Sequence, residues 1–223
     1  HNWWREVLVR QFGGVPYNGD NTKVTYSDEA GLKAFQYYAD FVLKHKTSVV
    51  DFMDKGEIAF KAGRAAMHID GSFVLSLFNR TRRLEWGVTE LPSHNGLKAN
   101  FSSYWVNGIT SKAEGEKRIA AENFLKFITS DEAMQLWLDE VGELPAKRNV
   151  AKQEGNINDP EFGPFIRGLD YAFSTRFYSE SAQRKTVVDM LDRIVLLGMS
   201  VKESLEIAAK EDQAIIDKAV NDD

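Results

Sequence analysis

Two hydrophobic periods alternate along this sequence. From Ser27, with Asp28 and Glu29 in the first turn, the apolar residues Leu32, Phe35, Tyr38, Ala39, Val42 and Leu43 recur three and four positions apart. That spacing predicts a helix capped by Ser27 and running to near Lys46. The runs AAMHI (65–69), EWGVTEL (85–91) and Tyr104 to Thr110 are shorter and bounded by turn residues, so they read as strands. A chain that interleaves these periods must bury its helix stripes on a sheet. That is the α/β class, with helix outweighing strand.

The punctuation between elements supports this outline. Trp3 to Phe12 carries Trp4, Val7, Leu8 and Phe12 on one helical face and stops at Gly13-Gly14. Asp54 spaced before Glu57 predicts a short helix over 57–62, closed by Gly63. A turn is expected at Pro-Ser-His-Asn-Gly (92–96). Ser111 with Glu114 reads as a capping box, and Ile119, Ala120, Phe124, Leu125, Phe127 and Ile128 form the inner face of the helix it opens. Ser130 caps another helix through Trp137. Loops are expected from Gly142 to Pro164, and the last third is helical over 186–197 and 201–220, the second helix opened by Ser200 and Glu203. No repeat, low-complexity tract or Gly/Ser linker divides the chain.

Composition excludes several classes. With 43% hydrophobic and 27% charged residues in 223, the chain can fold around a core and is neither disordered nor fibrous. A net charge of -5 and a pI near 5.5 argue against nucleic acid as a partner. The basic cluster NRTRR (79–83) fits a helix C-terminus, where cations face the negative end of the dipole. No run approaches the roughly 18 apolar residues of a membrane span. The first residues lack the basic and small-residue regions of a signal peptide, so the sequence reads as beginning inside something longer. Cysteine is absent, which removes disulfides, thiolate metal ligands and cysteine nucleophiles.

Signatures of catalysis are also lacking. The spacing Gly14 to Gly19 suggests a phosphate loop, but Asp20 stands where lysine is needed and a helix precedes it. There is no G-x-G-x-x-G, G-x-S-x-G or H-E-x-x-H. His68 and Asp70 would share one strand face, yet no third metal ligand is evident, so no metal or cofactor is expected. The paired acids Asp131-Glu132, Glu211-Asp212 and Asp222-Asp223 read as a helix start, a solvated helix face and a terminus. Aromatic residues make up 12% of the chain, and Trp3-Trp4, Phe73, Tyr104-Trp105 and Phe177-Tyr178 are poorly explained by either period. Adjacent rings cannot share a face, and rings beside Asp, Asn or Arg are a common way to hold polar ligands with apolar faces, sugars above all.

FKAGRAAMHIDGSF (60–73) matches F-x-x-G-[KR]-x-A-M-x-I-x-G-S-[WF], and with it the chain resembles the extracellular solute-binding proteins of bacterial ABC importers, in their carbohydrate-binding group. The likeness extends in order through QFGG, WGVTELPSHNG, NGITSKAEGEKRIAAENFLKFITSDEAMQLW, GELPAKRNV and SVKESLEIAAKEDQAI. It implies a periplasmic-binding-protein-like (type II) fold, helix-rich with a small mixed sheet. Residues 1–223 would be the C-terminal half, or second lobe, with about 104–150 crossing the hinge to belong with the first.

In such proteins the cargo lies between the lobes. The resemblance implies that Phe73 takes a stacking position and that Asp70 accepts hydrogen bonds from ligand hydroxyls. Trp3 or Trp4 supplies a ring from the helix before QFGG, and Tyr104, Trp105 and Asn107 approach the cleft at one crossing. Glu143 and Arg148 lie near another, and Phe177 or Tyr178 precedes the final helices. The implied partners are a sugar ligand and the ABC permease subunits in the membrane. The implied place is extracellular or periplasmic, with a lipid anchor on the full-length form. Self-association of the 223-residue chain through faces between 104 and 150 is a further expectation. Two alternatives stay open: a cargo such as a polyamine, phosphonate or metal chelate, and a carbohydrate-active enzyme with Asp70 and Glu143 as acid and base.

Overall fold

The computed structural model describes residues 2–48, 50 and 56–222. Eleven α-helices are found among them: α1 (Asn2–Gln11), α2 (Glu29–Leu43), α3 (Gly56–Lys61), α4 (Leu75–Asn79), α5 (Gly115–Ile128), α6 (Asp131–Val141), α7 (Arg148–Ala151), α8 (Glu154–Ile157), α9 (Gly163–Gly168), α10 (Glu180–Val195) and α11 (Val201–Asp222). Two strands, β1 (Asn100–Phe101) and β2 (Ala172–Phe173), pair in parallel, Asn100 opposite Ala172 and Phe101 opposite Phe173. The helix-rich α/β class follows the sequence reading. The chain divides into two compact units, His1–Val50 with Leu91–Ser102 and Tyr171–Asp223, and Asp51–Glu90 with Ser103–Asp170.

The first unit is built on α1, α2, α10 and α11, with the β1–β2 ladder beside α1. Its core gathers Leu8, Val9, Tyr26, Ala34, Phe35, Val187, Met190, Ile194, Leu205 and Ile216, and Trp4, Phe12, Tyr38 and Tyr178 pack against it half-buried. Each large apolar side chain so buried contributes on the order of 1.5–3 kcal/mol. α1 ends where the glycines predict. Gly13 adopts φ 89, its N–H donates to the Arg10 carbonyl at 3.0 Å, and the Gly14 N–H donates to the Val9 carbonyl at 2.9 Å. This is the paired closure of a left-handed helix end. The cap of α2 is Asp28 rather than Ser27, its carboxylate accepting from the Gly31 N–H at 2.8 Å. α2 stops at Leu43, short of Lys46. α10 begins at Glu180, ahead of the expected start at 186. Ser200 opens α11 by accepting from the Glu203 N–H at 3.2 Å.

In the second unit α3 begins at Gly56, and the predicted cap Asp54 lies outside the described residues. α4 stops at Asn79, and the backbone of Arg80 caps it, its N–H donating to the Ser76 and Phe78 carbonyls. Ser130 caps α6 through the Ala133 N–H at 3.2 Å, and α6 continues past Trp137 to Val141. Asp131, at the start of α6, accepts from Lys147 at 2.6 Å and from Asn149 at 2.7 Å, which ties the N-terminus of α6 to the approach to α7. The passage from Gly142 to Pro164 contains α7 and α8 instead of loop alone.

Three expected strands are absent from the described residues. The segments 65–69, 85–91 and 104–110 carry no ladder, Met67 is 86% exposed, and Trp105 is fully exposed. Their patterning is that of strands: 85–90 alternates exposed and half-buried residues. A strand exists only through hydrogen bonds to a neighbour, however, and among the described residues none of these three segments forms a ladder. The turn after 85–91 does form, with His94 and Leu97 exchanging backbone bonds around Asn95 and Gly96, both at positive φ. Ser111 takes no part in capping α5, whose N-cap is Glu114. The predicted inner face of α5 is not inner: Ile119, Phe124 and Phe127 are exposed, and α5 buries no residue.

Candidate functional site

The segment that carries the sequence motif is shaped from its helix end onward. Gly63, at φ 66, closes α3 by donating to the Phe60 carbonyl at 2.9 Å, and the Arg64 N–H donates to the Ala59 carbonyl at 2.8 Å. A left-handed residue here favours glycine because it has no Cβ to clash. The chain then runs extended to His68, whose ring sits 6.0 Å from Phe60 and 5.9 Å from Phe78. Phe78 in turn meets Trp86 edge-on at 5.2 Å.

This aromatic bed holds Asp70 in place. Its Oδ2 lies 3.0 Å from His68 Nε2, and its Oδ1 accepts from the Gly71 N–H at 2.8 Å. The Phe73 ring folds back over Gly71 so closely that a Cβ there would stand 2.3 Å from Phe73 Cε1. Only glycine permits that seating. Phe73 is nevertheless 57% exposed, so one unit presents an open ring beside a carboxylate with lone pairs to spare.

The other predicted residues divide between the units. Tyr104, Trp105 and Asn107 lie exposed on an extended stretch of the second unit. Glu143 there is half-buried, and Arg148 is exposed with its Nη2 3.8 Å from Asp170. Trp3, Trp4 and Tyr178 belong to the first unit. Trp4 tilts against Tyr38 at 5.8 Å, and Tyr178 lies under the Arg176 guanidinium at 4.7 Å. Phe177 packs 6.3 Å from Phe101 and 5.6 Å from the Arg5 guanidinium. No group of three or more His, Cys, Asp or Glu able to hold a metal ion occurs among the described residues.

A buried polar network in the first unit escaped the sequence reading. Asp212 is fully buried rather than on a solvated face. It accepts from Arg5 Nη1 at 2.9 Å, the Tyr17 hydroxyl at 2.7 Å and Gln183 Nε2 at 2.8 Å. Arg5 is equally buried, with the rings of Tyr17 and Tyr26 within 5.3 Å of its guanidinium. Burial would lower the Arg5 pKa, but Tyr17, Tyr26, Asp212 and Glu6 outweigh it and raise the pKa. Burial raises the Tyr17 hydroxyl strongly, against an opposing pull from Arg5. The signal was present in the sequence. Asp212 is spaced four residues from both Ala208 and Ile216, in the middle of the apolar stripe of α11.

Comparison with known proteins decides the family. The profile described as bacterial extracellular solute-binding protein matches residues 2–164. The chain belongs to that family. Among solved structures, this solute-binding chain is similar to the cyclic alpha-maltosyl-1,6-maltose binding protein of Arthrobacter globiformis, with TM-score 0.78 and 19% identity over 97% of this chain and 56% of that one. The sugar-binding protein MalE of Xanthomonas citri gives TM-score 0.76 and 17% identity over 98% and 56%. UgpB of Mycobacterium tuberculosis, solved in complex with glycerophosphocholine, gives 0.73 and 16% over 98% and 56%. The chain thus spans a little over half the length of these relatives, and it shares their fold. No curated protein matches it in sequence. No helix among the described residues is long and apolar enough to cross a membrane.

Proposed function

We propose that this chain is the C-terminal half of a two-lobe binding protein that captures a sugar or oligosaccharide and delivers it to an ABC permease. The carrying observation is the Asp70–Gly71–Phe73 arrangement: a part-exposed ring packed closely over a glycine, beside a hydrogen-bonding carboxylate, in a chain of this family. Trp3, Trp4, Tyr104, Trp105, Asn107, Glu143, Arg148 and Tyr178 are the further contacts in this reading. Binding shifts an open–closed equilibrium, because only the closed state lets both lobes touch the cargo.

Residues from about 104 to 150 belong with the first lobe. The exposed apolar face of α5 and the exposed extended stretch 104–110 support that assignment, since each has the pattern of a buried element that none of the described residues covers. No bond is broken in this function, and the site needs no cofactor. The protein works outside the cytoplasmic membrane, lipid-anchored in its full-length form.

A ring stacked on a sugar contributes about 0.5 to 1.5 kcal/mol beyond area burial, if aromatic-pair magnitudes carry over. Titration calorimetry on the complete protein should therefore show Phe73→Ala and Trp4→Ala weakening sugar affinity severalfold while the fold persists. Unchanged affinity in both would remove this site. The similarity to a protein that binds glycerophosphocholine favours one second reading, the same cleft with a non-sugar polar cargo.

A further inference from the structure

Glu6 lies two residues beyond Trp4 on α1 and is fully buried. Its Oε2 accepts from the Thr175 hydroxyl at 2.6 Å and lies 3.5 Å from Arg10 Nη2, one helical turn further on. The Arg10 guanidinium in turn sits 4.1 Å from the centre of the Phe173 ring. Both partners belong to the stretch by which the chain re-enters the first unit at Tyr171. A second crossing stretch, the one that leaves the unit at Ser102, is tied to it directly. The Ser102 N–H donates to the Phe173 carbonyl at 3.0 Å, and the Ser174 hydroxyl donates to the Ser102 carbonyl at 2.9 Å. Ser102 is the last residue of the first unit before the chain leaves it. On its other side α1 is held to α11 by Arg5 and Asp212.

We infer that Glu6 is a positioning residue that fastens α1, and with it Trp3 and Trp4, to the paired crossing stretches around Phe101 and Phe173. Seating a ligand on those rings and rearranging the crossing strands then become one event. The ligand half of the inference rests on the binding reading above. The physical ground is the cost of a buried carboxylate left without its donor. Tilting α1 away from Thr175 without the crossing stretch is costly, because Glu6 would lose its 2.6 Å hydrogen bond. It would keep only the longer ion contacts to Arg5 at 3.6 Å and Arg10 at 3.5 Å, which travel with it on α1.

Hydrogen exchange on the ligand-free 223-residue chain tests the fastening without any sugar. Thr175→Val removes the donor and keeps the shape, whereas Thr175→Ser keeps the hydroxyl. The expected result is exchange at the Ser102 amide about tenfold faster in Thr175→Val and in Glu6→Gln, restored in Thr175→Ser, with α10 and α11 protected as before. Unchanged exchange at Ser102 in Thr175→Val would overturn the inference. So would a uniform loss of protection that Thr175→Ser fails to repair. In the complete protein Thr175→Val should also lower affinity for a bound sugar severalfold while Thr175→Ser does not, and equal affinities would overturn the coupling to the rings. A wild-type protein that binds no sugar would count against the binding reading alone, since the exchange experiment stands apart from it.

Discussion

Removing the Asp212 carboxylate should be the most damaging single truncation in the first unit. Asp212→Ala deletes three accepted hydrogen bonds, from Arg5, Tyr17 and Gln183, all with buried donors. The Arg5 guanidinium is left among the rings of Tyr17, Tyr26 and Phe177, with only the 3.6 Å contact of its Nε to Glu6 Oε1 in place of its hydrogen-bonded ion pair. Breaking a buried pair by removing one partner costs about 3–5 kcal/mol, because the remaining charge stays desolvated. At about 2–4 °C per kcal/mol for a chain of this size, the midpoint should fall by roughly 6–20 °C. Urea unfolding followed by far-ultraviolet circular dichroism measures the loss directly.

The exposed pair Lys185–Asp189 on α10 is the control, and Lys185→Ala should cost less than about 0.5 kcal/mol. The double variant Arg5→Met/Asp212→Ala should cost less than the sum of its single variants, since it removes both charges. A loss below about 1 kcal/mol in Asp212→Ala, or strict additivity in the double variant, would refute the claim that this network holds α1 against α11.

Two further outcomes follow from the same structure. Burial raises the Tyr17, Tyr26 and Tyr38 hydroxyls, while hydrogen bonds from Lys147 and Asn149 hold Asp131, and one from Lys152 holds Asp170, below the ordinary carboxylate range. The tyrosine contribution is therefore complete below about pH 10 and lost as pH rises beyond it. The carboxylate contribution is present above about pH 4 and lost as pH falls below it. Phenolate absorbance should rise in two phases, the later one together with loss of helix. Ionisation of all seven tyrosines with the helical signal intact would contradict this. The exposed face of α5, with Ile119, Phe124 and Phe127, should pair two copies of the 223-residue chain in sedimentation, and Phe124→Lys should return it to monomer. A chain monomeric throughout would contradict the second expectation.

What could be read ahead of the structure was local. Ser130, Ser200, Gly13 and Gly63 terminate helices as expected, because a cap is a bargain among residues three or four positions apart. The Asn95-Gly96 turn is legible for the same reason. Strands are different, since the period-two pattern at 85–91 announces a face and says nothing of the neighbour that would make it a strand. β1 and β2 carry the reverse lesson: two residues each, too short to show a period, they pair because the fold brings Asn100 and Ala172 together. Asp212 was misread because a charged residue among charged neighbours suggests a wet face. Its place on the apolar stripe of α11 was the better guide.

In the candidate site, the motif at 60–73 pointed to Asp70 and Phe73, which flank Gly71. The role of Gly71 emerged only from how closely the Phe73 ring approaches its backbone.

Cargo capture is tested most directly by thermal unfolding of the complete protein against a panel of mono- and oligosaccharides, with polyamines, phosphonates and glycerophosphocholine alongside. A ligand at a hundred times its dissociation constant stabilises the folded state by about 2.7 kcal/mol. The account predicts a clear upward shift with at least one sugar, reduced by Phe73→Ala. A midpoint that no sugar moves, whether or not another cargo moves it, would contradict it.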